Sequence, residues 1–177
     1  MRFTASVGLP VLEQETAEVL GRVSGMLLHP DTGRVEGFFI RTEGFFSSTD
    51  LFLSSLDIVH WGMRIIVRSR DALAPAEERV RLQPLLEGKR TILGQRIVTE
   101  SGRTIGRCAD VQFSTRDYVL QWLFPRRFWR WGLPIPASQI IEVRTDAIVV
   151  REPSASVPEK EAEEEEVAIL PPMPEAA

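Results

Sequence analysis

Two-residue alternation of apolar and polar positions dominates two stretches of this chain. Val19, Val23, Met26 and Leu28, followed by Val35, Phe38 and Ile40, predict a pair of strands joined at His29-Pro30-Asp31-Thr32-Gly33. Pro, Asp and a closing Gly give that joint a turn chemistry, because Gly takes positive φ at no steric cost. The second stretch has Ile105 and Val111-Gln112-Phe113, a turn near Ser114-Thr115-Arg116-Asp117, and then Tyr118-Val119-Leu120-Gln121-Trp122-Leu123. Several short strands at regular spacing with Gly and Pro turns predict a small barrel or sandwich.

The two stretches are copies. Val19-Leu20-Gly21-Arg22-Val23 returns as Thr104-Ile105-Gly106-Arg107-Cys108, 85 residues later. Ahead of each lies an extended segment with a Gly, Gly8-Leu9-Pro10-Val11-Leu12 and Gly94-Gln95-Arg96-Ile97-Val98. Leu53-Ser54-Ser55-Leu56-Asp57-Ile58-Val59 matches Ile135-Pro136-Ala137-Ser138-Gln139-Ile140-Ile141, and Ile65-Ile66-Val67-Arg68 matches Ile148-Val149-Val150-Arg151. Gly21 and Gly106 hold equivalent positions, where a Gly in a short strand marks a bulge or sharp bend. A repeat of this length describes a duplicated module. Each copy has roughly 60–65 residues, near the lower limit for a core that folds alone, so the copies are expected to lean on each other.

Between the copies the pattern changes. Pro75-Ala76-Glu77-Glu78-Arg79-Val80-Arg81-Leu82 predicts about two helical turns broken by Pro84, with Leu85-Leu86 packing onto a barrel. From Pro153 onward the chain is Pro, Ala and Glu, including Glu163-Glu164-Glu165-Glu166, and is expected to be a disordered acidic tail. Within it Val167-Ala168-Ile169-Leu170 is a candidate docking motif.

This order of segments resembles the PRC-barrel fold: an extended Gly-containing segment, a strand through Leu-Gly-x-Val, a hairpin, a Leu/Ile-x-x-Ser/Asp-Ile-Ile stretch and a final Ile-Val-Val strand. That fold is similar to the cytoplasmic domain of the photosynthetic reaction-centre H subunit and to the C-terminal domain of the ribosome-maturation factor RimM. The second copy is the cleaner match, since Glu100-Ser101-Gly102 supplies a turn that Gln14-Glu15-Thr16-Ala17 must make differently. The resemblance implies a mainly β chain of two tandem small barrels: repeat 1 over 7–70, a linker with a short helix over 71–89, repeat 2 over 90–152, and the tail over 153–177. It brings no shared catalytic residues, and fold does not imply activity.

Composition narrows the setting. A single cysteine, Cys108, leaves no internal disulfide and fits a reducing compartment. The chain has no run of about 18 apolar residues and no apolar leader, so the cytoplasm is expected, with the inner membrane face as a peripheral site. The net charge of −4 hides an asymmetry: residues 152–177 hold eight Glu against one Lys, and residues 92–151 of repeat 2 hold nine Arg against five acids.

Little in the chain suggests chemistry. His29 and His60 are isolated and lack metal-ligand spacing, so no metal or cofactor is expected. Cys108 fills an apolar strand slot equivalent to Val23 and reads as a buried small hydrophobe. No Gly-rich phosphate loop precedes a helix. The segment that stands out runs from Trp122 to Gly132, with three of the four Trp and three Arg. Arg126, Arg127, Phe128, Trp129, Arg130 and Trp131 are the candidate contact residues, and Phe45 and Phe46 in the equivalent loop of repeat 1 are secondary ones. Such a cluster suits a protein interface, a bilayer headgroup layer, or stacking on single-stranded bases. It also suits packing across the seam between the barrels. The expectation is a non-catalytic adaptor holding a partner protein, with an anionic membrane surface as a further contact. Nucleic acid is disfavoured by the acidic tail; the alternative is an RNA-metabolism factor resembling RimM.

Overall fold

The computed structural model describes residues 1–43 and 48–152, so the acidic tail and the Phe45 and Phe46 positions lie outside the described residues. The chain is mainly β, as the alternation predicts, and its strands form two sheets. A short helix α1 (Phe3–Ser6) leads into β1 (Pro10–Glu13), β2 (Val19–Leu28), β3 (Val35–Glu43), β4 (Ser48–Ser54), β5 (Ile58–Trp61), β6 (Ile65–Val67) and β7 (Leu73–Ala74). These strands order as β5-β6-β1-β2-β3-β4-β7. After helix α2 (Gln83–Glu87) come β8 (Arg96–Thr99), β9 (Thr104–Phe113), β10 (Leu120–Arg127), β11 (Arg130–Trp131), β12 (Ile135–Pro136), β13 (Ile140–Val143) and β14 (Ala147–Val150). Their order is β11-β10-β9-β8-β14-β13, with β12 on the same strand as β11.

The two sheets share a wiring. Each has one parallel pair, β1 with β6 and β8 with β14, inside otherwise antiparallel pairing. Gly8 donates its N–H to the Val23 carbonyl at 2.8 Å, and Gly94 donates to Cys108 at 2.7 Å. Arg22 donates to the Gly8 carbonyl and Arg107 to the Gly94 carbonyl, each at 3.1 Å. The predicted bulges fall on the glycine-bearing strands: Val11 and Leu12 pair with Gly21 and Val19, leaving Leu20 as the extra residue of β2, and Ile97 and Val98 pair with Gly106 and Thr104, leaving Ile105 as the extra residue of β9. Both glycines let a neighbouring strand close in: an added Cβ would lie 2.7 Å from the Arg41 carbonyl oxygen at Gly21 and 2.8 Å from that of Arg126 at Gly106. The β1–β2 turn does differ from its counterpart. It closes on Ala17 at φ 55 where the second closes on Gly102 at φ 84.

The linker departs from expectation. No helix runs over 75–82; two 3-10 turns, Ala76–Glu78 and Val80–Leu82, precede α2, and Pro84 sits in the first turn of α2 instead of ending a helix. Packing explains the change. Ala76 and Leu82 are both buried against Phe52, yet six residues along an α-helix lie roughly 120° apart around its axis. Short tight turns bring both to one side. Proline has no N–H to lose in a first turn. Leu85 and Leu86 pack on this satellite cluster, as predicted, together with Leu27 and Phe39. Successive residues Phe38 and Phe39 thus serve opposite faces of β3, one the main core and one the cover formed by the linker.

One main core takes side chains from both sheets. At its centre Phe38 and Trp61 meet Phe113 and Tyr118 of the second sheet: Phe38–Phe113 ring centroids lie 5.7 Å apart and Trp61–Phe113 5.6 Å, edge to face. An antiparallel bridge joins Arg34 to Val119 beside this cluster. Val35 donates to the Tyr118 carbonyl and Leu120 to the Gly33 carbonyl, both at 2.8 Å. These two bonds are equivalent under the 85-residue offset, so the bridge sits on a local pseudo-two-fold axis, as in an isologous dimer. The N-terminal segment adds an asymmetric clasp. Thr4 donates its N–H and hydroxyl to the buried Asp110 carboxylate of β9, at 3.1 and 2.5 Å, and Met1 exchanges backbone bonds with Phe113. Arg90 adds a two-pronged ion pair to Asp31, at 2.5 and 2.9 Å, which holds the Asp31 carboxyl below its ordinary pKa.

Candidate functional site

The predicted Arg/Trp loop is a β-hairpin. β10 buries Leu123, Phe124 and Pro125, then runs clear of the core, and the chain turns back as β11. Arg126 pairs with Trp131 and Arg127 with Arg130, leaving Phe128-Trp129 as a two-residue loop. Phe128 takes φ 55. That is the left-handed region where Gly is the ordinary occupant, and a bulky residue there costs on the order of 1–2 kcal/mol. Strain of this kind collects at functional positions.

The tip is exposed and its side chains converge. Phe128 is 80% exposed, Trp129 79% and Trp131 55%, so packing across the seam is excluded for them. The seam is filled instead by Trp61, the tryptophan outside the cluster. The Phe128 and Trp129 rings lie 6.0 Å apart, and the Arg126 guanidinium sits 5.5 Å over the Trp131 ring. Ile105 of β9 and Gly132 close a shallow apolar cleft against Arg127, Phe128, Trp129, Arg130 and Trp131. Arg126, Arg127 and Arg130 form no ion pair among the described residues; eight ion pairs each hold another arginine, and eight further arginines are likewise unpaired. An apolar tip beside three guanidinium groups without an ion pair has the composition of an interface hot spot, where Trp, Tyr and Arg are enriched.

All six predicted contact residues are brought together. Trp122 is not among them: it lies back along β10, opposite Gln112 and Pro136. Sequence reasoning missed Leu133, 86% exposed beyond β11, and Ile105, which only the strand pairing places at the tip.

The other candidates fall elsewhere. His29 lies in the β2–β3 turn and His60 on the exposed side of β5. Among the described residues no group of three or more His, Cys, Asp or Glu could hold a metal ion. Cys108 is fully buried, as its match to Val23 predicts, and burial with the Asp110 charge beside it pushes its pKa up to about 12. Its neutral thiol is therefore favoured by folding. The stability this gives is complete below the unfolded thiol's pKa, about 8.5, and is lost as pH rises toward 12. Urea midpoints are expected to fall between pH 8 and pH 10, and Cys108→Val to flatten that fall. An equal slope in the variant would show the thiol plays no part.

No helix among the described residues is long and apolar enough to cross a membrane. Comparison with curated proteins gives no match. The family model for the PRC-barrel domain matches residues 1–74, which are the curled first sheet with the N-terminal clasp and β7, and this part of the chain is a PRC-barrel domain.

Proposed function

We propose that the chain is a tandem pair of PRC-barrel units, over 7–70 and 90–152, that acts as a non-catalytic adaptor and holds a partner protein through the β10–β11 hairpin tip. The common strand order and the matching Gly8 and Gly94 bonds support the tandem reading. The observation that carries the adaptor reading is the tip itself: Phe128, Trp129 and Trp131 are held in water beside three arginines with no described counter-charge. Exposed aromatics of this size are costly on a surface that has no use for them. The buried, protonated Cys108 and the separated histidines offer no nucleophile–base pair among the described residues.

The test is a photo-crosslinking residue placed at Trp129, compared in the source cells with the same residue at the exposed Met63. A discrete protein adduct at 129 and none at 63 is expected; equal, diffuse labelling would sink the adaptor reading. With the captured protein in hand, Trp129→Ala/Trp131→Ala should weaken binding by roughly 100-fold, the scale of two lost anchor residues. The melting temperature should stay within about 2 °C, because exposed substitutions away from packed contacts cost little. Adducts to lipid would move the same tip to a membrane surface. Single-stranded RNA bound with a steep salt dependence would favour the RNA-metabolism alternative.

A further inference from the structure

We infer that the hairpin tip takes an acidic peptide carrying an aliphatic anchor, and that residues Glu163–Leu170 of this same chain are such a ligand, seated on the tip until a partner displaces them. The inference rests on the tip being the docking element proposed above.

Three observations point to this occupant. The first is position. Ser101 and Arg103, at the turn between β8 and β9, both bond the Glu152 carboxylate, Arg103 at 3.2 Å, so the chain beyond 152 departs beside that turn. Ile105, two residues along β9 from Arg103, lines the cleft under Phe128 and Trp131. At about 3.3 Å per strand residue, Arg103 lies roughly 7 Å from Ile105 along the chain, so the departing chain is one ion-paired side-chain contact away from the strand that forms the cleft wall. Ten residues separate Glu152 from Glu163, and the eleven steps between them can span up to about 36 Å. Reach is ample, and a linker this short gives an effective concentration in the millimolar range.

Charge is the second. Glu163-Glu164-Glu165-Glu166 offers four consecutive carboxylates to Arg126, Arg127 and Arg130, three guanidinium groups gathered on one hairpin without an ion pair among the described residues. The third is shape and polarity. Val167-Ala168-Ile169-Leu170 follows the acids directly and matches the apolar cleft of Ile105, Phe128, Trp129 and Trp131. β11 is the outermost strand of its sheet, which leaves an edge that an extended peptide can pair with. An acidic aliphatic segment answers all three features at once, whereas a bilayer would answer the charge and the apolar tip but would compete with this chain's own carboxylates.

The experiment uses the full chain and compares it with E163Q/E164Q/E165Q/E166Q, whose changes lie outside the described residues. Acrylamide quenching of tryptophan emission is read at about 0.02 M and about 0.5 M NaCl, where the Debye length contracts from roughly 20 Å to roughly 4 Å. The full chain should be protected at low salt and become about twofold more quenchable at high salt. The Gln variant should be quenchable at both, and Trp129→Phe/Trp131→Phe should erase the difference. Equal quenching of full chain and variant at both salts overturns the tail occupancy. If that happens while the position-129 crosslink still captures a discrete protein, the adaptor reading stands and this inference alone falls. Phosphatidylserine vesicles that shift tryptophan emission equally in full chain and variant would also overturn it, since an occupied tip must be slower to accept a second surface.

Discussion

Phe38→Ala is expected to lower the unfolding free energy by about 3–5 kcal/mol, the range for truncating a buried phenylalanine that leaves a cavity. The ring has no solvent exposure and lies 4.8 Å from Trp61 and 5.7 Å from Phe113, so its loss opens the aromatic cluster on which the two sheets meet. For a chain of this size that corresponds to a drop in melting temperature of about 10 °C. The decisive feature is that both sheets should suffer together. Trp61 reports on the seam and far-UV circular dichroism on the strands of both sheets, so their urea transitions should move as one. Coincident curves are expected because the core is continuous across the sheets. A loss below about 1 kcal/mol, or a seam signal that melts well ahead of the strands, would mean that each sheet carries its own core and the cluster merely fills a gap.

That continuity was only half legible in the sequence. The hairpins β2–β3 and β9–β10 follow from alternation and turn chemistry, both local properties, and their boundaries match the strands closely. The burial of Cys108 followed from register, because the repeat assigns it the slot of Val23. The seam could not be read in the same way. Trp61 looks like one more aromatic at a strand end, and nothing local says that Phe113, 52 residues away, is its neighbour. The N-terminal segment was equally opaque: Thr4 and Asp110 are ordinary polar residues until the fold sets them 2.5 Å apart.

The linker and the tip failed and succeeded for opposite reasons. Helical propensity over 75–82 was overridden by the need to turn both Ala76 and Leu82 onto Phe52, a tertiary demand that no window of sequence contains. The tip was found because composition alone marks it: no barrel of about 60 residues can bury three tryptophans and three arginines in eleven positions. Its hairpin form was missed, since a Phe at φ 55 is the last residue turn chemistry would choose there.

Gly37→Ala is expected to destabilise the first sheet by about 3 kcal/mol or more, and to do so by sterics alone. A Cβ at this position would lie 2.1 Å from the Leu53 carbonyl oxygen and 2.5 Å from Cζ of Phe52. The carbonyl cannot yield without breaking the β3–β4 ladder, in which Gly37 pairs with Ser54. Phe52 cannot yield either, because it is fully buried between Phe39 and the linker turns. By the 85-residue offset the corresponding residue is Trp122, so the repeat itself places no ban on a side chain here. The ban comes from β4, which runs unbroken beside β3, whereas its counterpart is split into β11 and β12 around Gly132-Leu133-Pro134. Gly25→Ala is the control. Its Cβ would meet only the Phe39 ring edge, at 3.1 Å, and a side chain can give by a few tenths of an ångström, so a cost below about 1 kcal/mol is expected there. Equal losses at both positions in urea unfolding would mean that β4 can shift away from β3. In that case the continuous strand would not be what distinguishes the first sheet from the one that carries the exposed tip.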